Sequence, residues 1–301
     1  MTNTTIQLKN LSFSYTRKQP ILKNININVP QGSIYGFLGP NGAGKSTTMQ
    51  LLTAVLNDHE GDINIFGKPL KDQTPQIFSK IGALVESPAL YLHLTGYENL
   101  KCITILKKID SKRIPKVLKL VGLQGKGDLK VRKYSLGMKQ RLAIAISLLG
   151  DPQLLLLDEP VNGLDPSGIT EVRELLVQLN KELGITIFIS SHLLSEIEKM
   201  CTHVGIIHLG ELKFEGTMSE LEQRSSKHML TVHTSNASQQ LSIITDQYPQ
   251  AKLINENQLQ VTLSNKEETP LFIKYAVDRG VPMFQIKAED GLENWFLSLT
   301  K

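Results

Sequence analysis

The chain opens on alternation. Ile6 and Leu8, then Ile25, Ile27 and Val29, recur at every second position with polar residues between them, the period of a half-buried strand. A third strand is expected over 33–38. A glycine-rich turn then runs into residues 45–55, whose apolar positions take helical spacing. Strands at 62–66 and 81–85 follow. Between Pro88 and Lys133 charged and apolar positions interleave as in helices, with Pro115 interrupting one or starting a turn, so the segment reads as a helical insert. The pattern next predicts helix over 136–149, a strand buried on both faces over 154–157, helix over 171–183, another buried strand over 185–189 and the last strand of the core at 204–209.

Near Gly216 the pattern changes. A short capped helix is expected over 217–223 and a polar joint over 224–227. Beyond lie strands at 229–232, 258–263 and 283–286, helices at 238–245 and 271–276, and a closing helix at 292–299. Two strands and a helix, repeated twice, would make a small open-faced α/β module. The expected division is therefore residues 1–216, with a helical subdomain at 87–133, and a second domain at 217–301.

Composition narrows the class without naming a partner. At 301 residues, with 41% hydrophobic and 21% charged positions, the chain suits one large or two modest cores and excludes a disordered, collagen-like or staple-held protein. The formal charge of +4 is compatible with nucleic acid, an anionic membrane surface or plain solubility, and selects none. Cys102 and Cys201 are too few for a disulfide framework or a four-thiolate metal site. Met1 to Asn10 lack the pattern of a secretory leader, and no stretch reaches about 18 uninterrupted apolar residues, so the chain alone is not expected to cross a membrane.

Chemistry concentrates after three of the expected strands. Gly39-Pro40-Asn41-Gly42-Ala43-Gly44-Lys45-Ser46-Thr47 has two glycines flanking four positions and then Lys-Ser, between a strand and a helix. Glycine lets successive amides turn toward phosphate oxygens, and the helix adds the positive end of its dipole. Lys45 can reach the β- and γ-phosphates, and the Ser46 hydroxyl can ligate Mg²⁺. Asp158 and Glu159 follow the apolar run 154–157 and would lie at the same sheet edge. There Asp158 would hold Mg²⁺ through water, and Glu159 would polarise the attacking water. His192 ends the strand at 185–189 after Ser190-Ser191, where a neutral imidazole could bond the γ-phosphate and keep water or Glu159 in register.

The segment Tyr134-Ser135-Leu136-Gly137-Met138-Lys139-Gln140-Arg141, with Gln140 lying 18 positions before Asp158, resembles the signature of the ATP-binding subunits of ABC transporters. Val161-Asn162-Gly163-Leu164-Asp165 is similar to that family's loop after the second carboxylate, and Tyr15 falls where the family sets an aromatic ring against adenine. The resemblance covers about residues 4–220. It implies an α/β fold: a P-loop nucleotide-binding core with an antiparallel β subdomain and a helical insert, followed by a small α/β C-terminal module. It also implies ATP and Mg²⁺ as cofactors and an ATP-dependent homodimer, in which Ser135 and Gly137 of each copy reach the γ-phosphate held by the other and Asp165 communicates across the seam. A separate transmembrane permease would hold the chain at the cytoplasmic side of the membrane, docking near Tyr91, Leu92 and Leu94, and no nucleic acid partner is expected.

Two departures qualify the resemblance. Leu136 and Met138 replace a glycine and a glutamine, so Ser135 and Gly137 carry more of the phosphate contact. Glu86 stands where the broad family has a glutamine that links the metal site to the permease; a carboxylate can still ligate Mg²⁺ but adds negative charge. The run Ile81-Gly82-Ala83-Leu84-Val85-Glu86-Ser87-Pro88, like the tail beyond residue 217, is similar to the branch that exports bacitracin or lantibiotic peptides for self-protection. A soluble ABC-type ATPase of translation or DNA repair would carry tandem motifs or a long coiled coil, and this chain has neither. A non-catalytic nucleotide sensor is disfavoured by Glu159.

Overall fold

The structure is a computed structural model that describes residues 3–16, 19–86, 89–224 and 228–289, together with Phe296 and Leu299. The closing helix expected over 292–299 falls outside the described residues apart from those two, as do Ser87, Pro88 and most of the joint at 224–227. The chain divides into two compact units, Met1–Met218 and Ser219–Lys301.

The first unit runs β1 (Thr4–Thr16), β2 (Gln19–Pro30), β3 (Ile34–Leu38), α1 (Lys45–Leu52), β4 (Glu60–Ile65), β5 (Lys68–Pro69), α2 (Leu70–Gln73) and β6 (Ile81–Leu84). It continues with α3 (Gly96–Lys107), α4 (Arg113–Leu120), α5 (Leu136–Leu148), β7 (Leu154–Asp158), α6 (Pro166–Leu183), β8 (Thr186–Ser191), α7 (Leu194–Met200), β9 (His203–His208) and β10 (Glu211–Thr217). The alternation read at the start of the chain becomes one face of an antiparallel sheet of order β2-β1-β4-β5, in which Ile6 pairs with Val29, Leu8 with Ile27 and Leu11 with Ile25, all buried. That face meets Leu154, Leu156 and Phe188 of a six-stranded sheet, with Met49 and Leu52 of α1 in the same core.

The six-stranded sheet has the order β10-β9-β3-β8-β7-β6. β3 is parallel to β8 and β9, and β7 is parallel to β6 and β8, so the segments after β3, β6, β7 and β8 all leave from one edge. Every residue of β3, β7 and β8 is buried, which is why the sequence there is dominated by apolar residues at consecutive positions and not by alternation. Ligands of such sheets lie at the carboxyl edge, and the phosphate loop, Glu86, Asp158-Glu159 and His192 all follow those strand ends.

The first unit departs from the sequence pattern in ways that have a physical reason. β9 is not the last strand of the core, because β10 returns antiparallel beside it. α6 begins at Pro166, five residues before the apolar spacing announces it: Asp165 caps the helix and Pro166 opens it, and neither signal is apolar. α1 stops at Leu52, and Ala54 turns to φ +52°. Pro115 lies within the first turn of α4, where a missing N–H costs no helical bond.

α8 (Met218–Arg224) spans the junction of the units. The second unit then runs β11 (His228–His233), α9 (Ala237–Thr245), β12 (Lys252–Asn255), β13 (Gln258–Leu263), α10 (Thr269–Asp278) and β14 (Gln285–Glu289), with sheet order β12-β13-β11-β14 and antiparallel pairs throughout. This is the split βαβ arrangement of two interlocked βαβ units. Its core gathers Leu230, Val232, Leu259 and Val261 from the sheet with Ala237, Ile244, Phe272 and Ala276 from the helices. β12 had no signature in the sequence because all four of its residues are exposed, and the period-2 signal needs a buried face.

Candidate functional site

The phosphate loop is shaped by what glycine alone allows. Gly44, the residue before α1, has φ +111°, and a Cβ there would stand 2.6 Å from Leu22 Cδ2. At Gly39 a Cβ would fall 2.3 Å from the Ile207 carbonyl oxygen, so the loop lies hard against β9. Lys45 opens α1 and is buried, yet its Nζ bends back to donate to the carbonyls of Gly39 at 2.7 Å and Pro40 at 3.2 Å. The lysine thus spans the hollow of its own loop. Ser46, next along α1, is exposed and its hydroxyl makes no hydrogen bond among the described residues.

Lys45 Nζ also lies 3.1 Å from Glu159 Oε1, and Glu159 Oε2 lies 2.8 Å from His192 Nδ1. A carboxylate only accepts, so Nδ1 carries the proton of that bond; the Nε2 of a neutral ring is then a lone pair, and donation from it to a phosphate requires the imidazolium. This refines the expectation of a neutral imidazole bonding the γ-phosphate. Glu159 Oε1 is buried with no hydrogen bond of good geometry, and its ion pair to Lys45 is its sole compensation among the described residues. Glu159 itself has φ +46°, a left-handed conformation that non-glycine residues adopt at a cost, stored at the site.

Asp158 is pinned from the neighbouring strand. Ser190 Oγ donates to Asp158 Oδ1 at 2.5 Å and accepts from the backbone N–H of Glu159 at 2.9 Å, so one fully buried hydroxyl fixes the Asp158 carboxylate and the main chain of Glu159. Asp158 and Ser190 are register partners on β7 and β8. The sequence reading passed over Ser190, since its signal, two polar residues ending adjacent buried strands, exists only once strand order is known.

A second chain of contacts flanks α1. Tyr15, exposed and braced edge-on by Phe13 at 4.9 Å, donates to Gln50 Oε1 at 3.2 Å and lies 3.5 Å from Thr47 Oγ1. Gln50 Nε2 in turn donates to Glu86 Oε1 at 3.0 Å. Gln50 is the other residue the sequence reading missed.

Ser135, Gly137 and Asp165 make no hydrogen bond or ion pair with these residues; they cluster with one another. Ser135 Oγ accepts from Met138 N at 3.2 Å and caps α5, which leaves the hydroxyl proton free to donate elsewhere. Asp165 accepts from Gly168 N at 3.1 Å and caps α6. Leu136 is about half exposed beside Gly163 of the loop after Glu159. A Cβ built on Gly137 meets nothing nearer than Gly168 Cα at 3.8 Å, so the chain's own packing does not demand glycine there.

These residues fit a magnesium-nucleotide. The loop supplies amides and a lysine, the Ser46 hydroxyl is unengaged, and Glu159 keeps a buried oxygen aimed at Lys45. Among the described residues no group of three or more His, Cys, Asp or Glu side chains could hold a metal alone. Among the described residues no helix is long and apolar enough to cross a membrane.

Comparison with known proteins fits this geometry. The sequence pattern of the ABC transporter family matches residues 22–162. The chain is 41% identical over 303 aligned residues to the bacitracin transport ATP-binding protein BcrA of Bacillus licheniformis, covering 99% of this chain and 97% of that protein. It is 44% identical over 210 residues to the lantibiotic transport ATP-binding protein SrtF of Streptococcus pyogenes, covering 70% of this chain and 90% of that one. Among solved structures, CbiO1 of Clostridium perfringens, part of the ABC transporter complex cbiONQ, superposes with a TM-score of 0.67 at 31% identity over 73% of this chain and 90% of its own.

Proposed function

The chain belongs to the ABC transporter family as one of its ATP-binding, ATP-hydrolysing subunits, and we propose that it powers a membrane-embedded exporter of bacitracin-like peptides, with lantibiotics as the neighbouring cargo class. The cargo order rests on coverage: the bacitracin relative matches across both units, whereas the lantibiotic relative matches about the length of the first.

The observation that carries the reading is the Lys45–Glu159–His192 chain beside a Ser190-pinned Asp158. Bound Mg-ATP supplies the phosphoanhydride bond whose hydrolysis drives the cycle. Lys45 exchanges Glu159 and the loop carbonyls for phosphate oxygens. Ser46 and Asp158 would hold the metal, and Glu86 follows β6, the strand beside the one that ends in Asp158. Glu159, released from the ammonium, takes the proton of the attacking water, while His192 keeps its far oxygen oriented. Tyr15 stacks on the base.

A homodimer completes each site. An unneeded glycine at 137, a Ser135 hydroxyl with a proton to give and the amino end of α5 together favour a phosphate approached from outside the chain. A separate permease would hold the subunit peripherally on the cytoplasmic face, near exposed Tyr91 and Leu92. The test is co-purification with the permease into lipid vesicles and measurement of ATPase. Stimulation by bacitracin or a lantibiotic, and none by sugars, is expected; a response confined to small solutes overturns the cargo reading.

A further inference from the structure

We propose that Gln50 is a positioning residue that ties Tyr15, on the base side of the nucleotide site, to Glu86, on the metal side. The inference rests on the ATP-site reading above and adds a link within it.

The three side chains form a directed chain of hydrogen bonds across α1. The Tyr15 hydroxyl donates to Gln50 Oε1, and Gln50 Nε2 donates to Glu86 Oε1. Direction follows from Glu86. A carboxylate offers only lone pairs, so the Gln50 amide must turn its N–H₂ toward residue 86, and its oxygen is then presented to Tyr15, which must donate. A glutamine at position 86 would accept either orientation of the amide and leave the tyrosine hydroxyl undirected. Glu86, the departure from the broad family, thus acquires a consequence in the remote tyrosine.

Geometry suits the role. Gln50 stands three residues beyond Thr47, one helical turn along α1, and Tyr15 Oη also lies 3.5 Å from Thr47 Oγ1. The ring of Tyr15 is exposed for stacking, but its hydroxyl is held and its edge is braced by Phe13. Glu86 follows β6 with φ +67°, and its carboxylate is exposed, with Gln50 its hydrogen-bond partner among the described residues. Loss of Gln50 frees both ends at once, and loss of the tyrosine hydroxyl loosens Glu86 through an amide the hydroxyl no longer holds.

The experiment is calorimetric ATP binding to the purified full-length chain across a series of Mg²⁺ concentrations. Tyr15→Phe keeps the stacking ring and is far from Glu86 in sequence, yet it should raise the half-saturating Mg²⁺ about two- to fivefold, the value of about one hydrogen bond. Gln50→Leu should do the same and weaken Mg-ATP binding about fivefold. The double variant should be no worse than Gln50→Leu alone. Additive effects, or a Tyr15→Phe chain whose Mg²⁺ requirement is unchanged, overturn the proposal. Lys45→Ala separates it from the underlying reading: unchanged Mg-ATP binding there sinks the nucleotide site itself, whereas lost binding together with an additive cycle sinks only the role of Gln50. Tyr15→Phe alters an exposed side chain, so the test stands even if Gln50→Leu lowers the thermal midpoint.

Discussion

Lys45 and Glu159 face each other at 3.1 Å, with the lysine almost wholly enclosed and the carboxylate mostly so. The group that would meet phosphate and the group that would activate water therefore neutralise one another before either meets a nucleotide. A buried ammonium released from its partner needs another anion at once, and a triphosphate provides one. On the proposed reading, nucleotide binding and liberation of Glu159 would be the same event.

Glu159→Gln should separate those two functions. The amide cannot form the ion pair, so Lys45 is freer for phosphate and ATP affinity should rise about three- to tenfold, while hydrolysis should lose its proposed base and fall about 100- to 10,000-fold. Calorimetric binding and steady-state phosphate release measure the two sides. Weaker ATP binding by the variant would mean that the ion pair does not compete with the nucleotide.

Ser190→Ala removes one buried hydroxyl and strands the two groups it joins, the buried Asp158 carboxylate and the part-buried Glu159 N–H. A cost of about 1–3 kcal/mol in urea unfolding is expected. ATPase should fall as well, because Asp158 loses the bond that sets its rotamer. An unchanged kcat with lowered stability would confine Ser190 to the fold.

The legible part of this site was the part written in consecutive residues. The loop 39–47 and the Asp158-Glu159 step each carry their expected chemistry within one strand–turn segment, so spacing alone singles them out. Ser190, Gln50 and the caps of α5 and α6 act through partners fixed by strand order or helix face. Nothing in a linear pattern says that Ser190 stands beside Asp158. The same physics governs the fold: β1, β2, β3, β7 and β8 have buried faces and were legible, while exposed β12 and the non-apolar start of α6 were not. Ser135 shows a further limit, since one serine serves as helix cap and candidate phosphate donor, and the two roles share a sequence signal.

The Arg173–Glu196 pair links α6 to α7, the helix after His192, at 2.9 Å, with the carboxylate almost fully enclosed. Among the described residues, Arg173→Met leaves that charge with only the exposed Lys199, 3.4 Å away. Destabilisation of about 3–5 kcal/mol is expected, since breaking a buried pair from one side costs more than deleting it. Adding Glu196→Gln should restore part of the loss in the same urea titration. A double variant as unstable as the sum of the singles would argue against the pair.

Glu215 supplies the pH dependence. Its Oε1 accepts from Asn28 N at 2.5 Å and from the Tyr35 hydroxyl at 3.4 Å, yet burial outweighs both bonds and raises the carboxyl above its ordinary range; the Tyr35 hydroxyl is pushed up too, by burial first and by the Glu215 charge second. The folded chain therefore binds this proton more tightly than the unfolded chain. Between the ordinary glutamate value and the raised one, stability declines as pH rises, and above that window the penalty is constant. Glu215→Gln keeps an acceptor for Asn28 and discards the charge. Its thermal midpoint should exceed that of the native chain at neutral pH, and the gap should close as pH falls toward about 4.5. A variant that is less stable at neutral pH, or a gap that ignores pH, would show that the two hydrogen bonds, and not burial, govern this carboxylate.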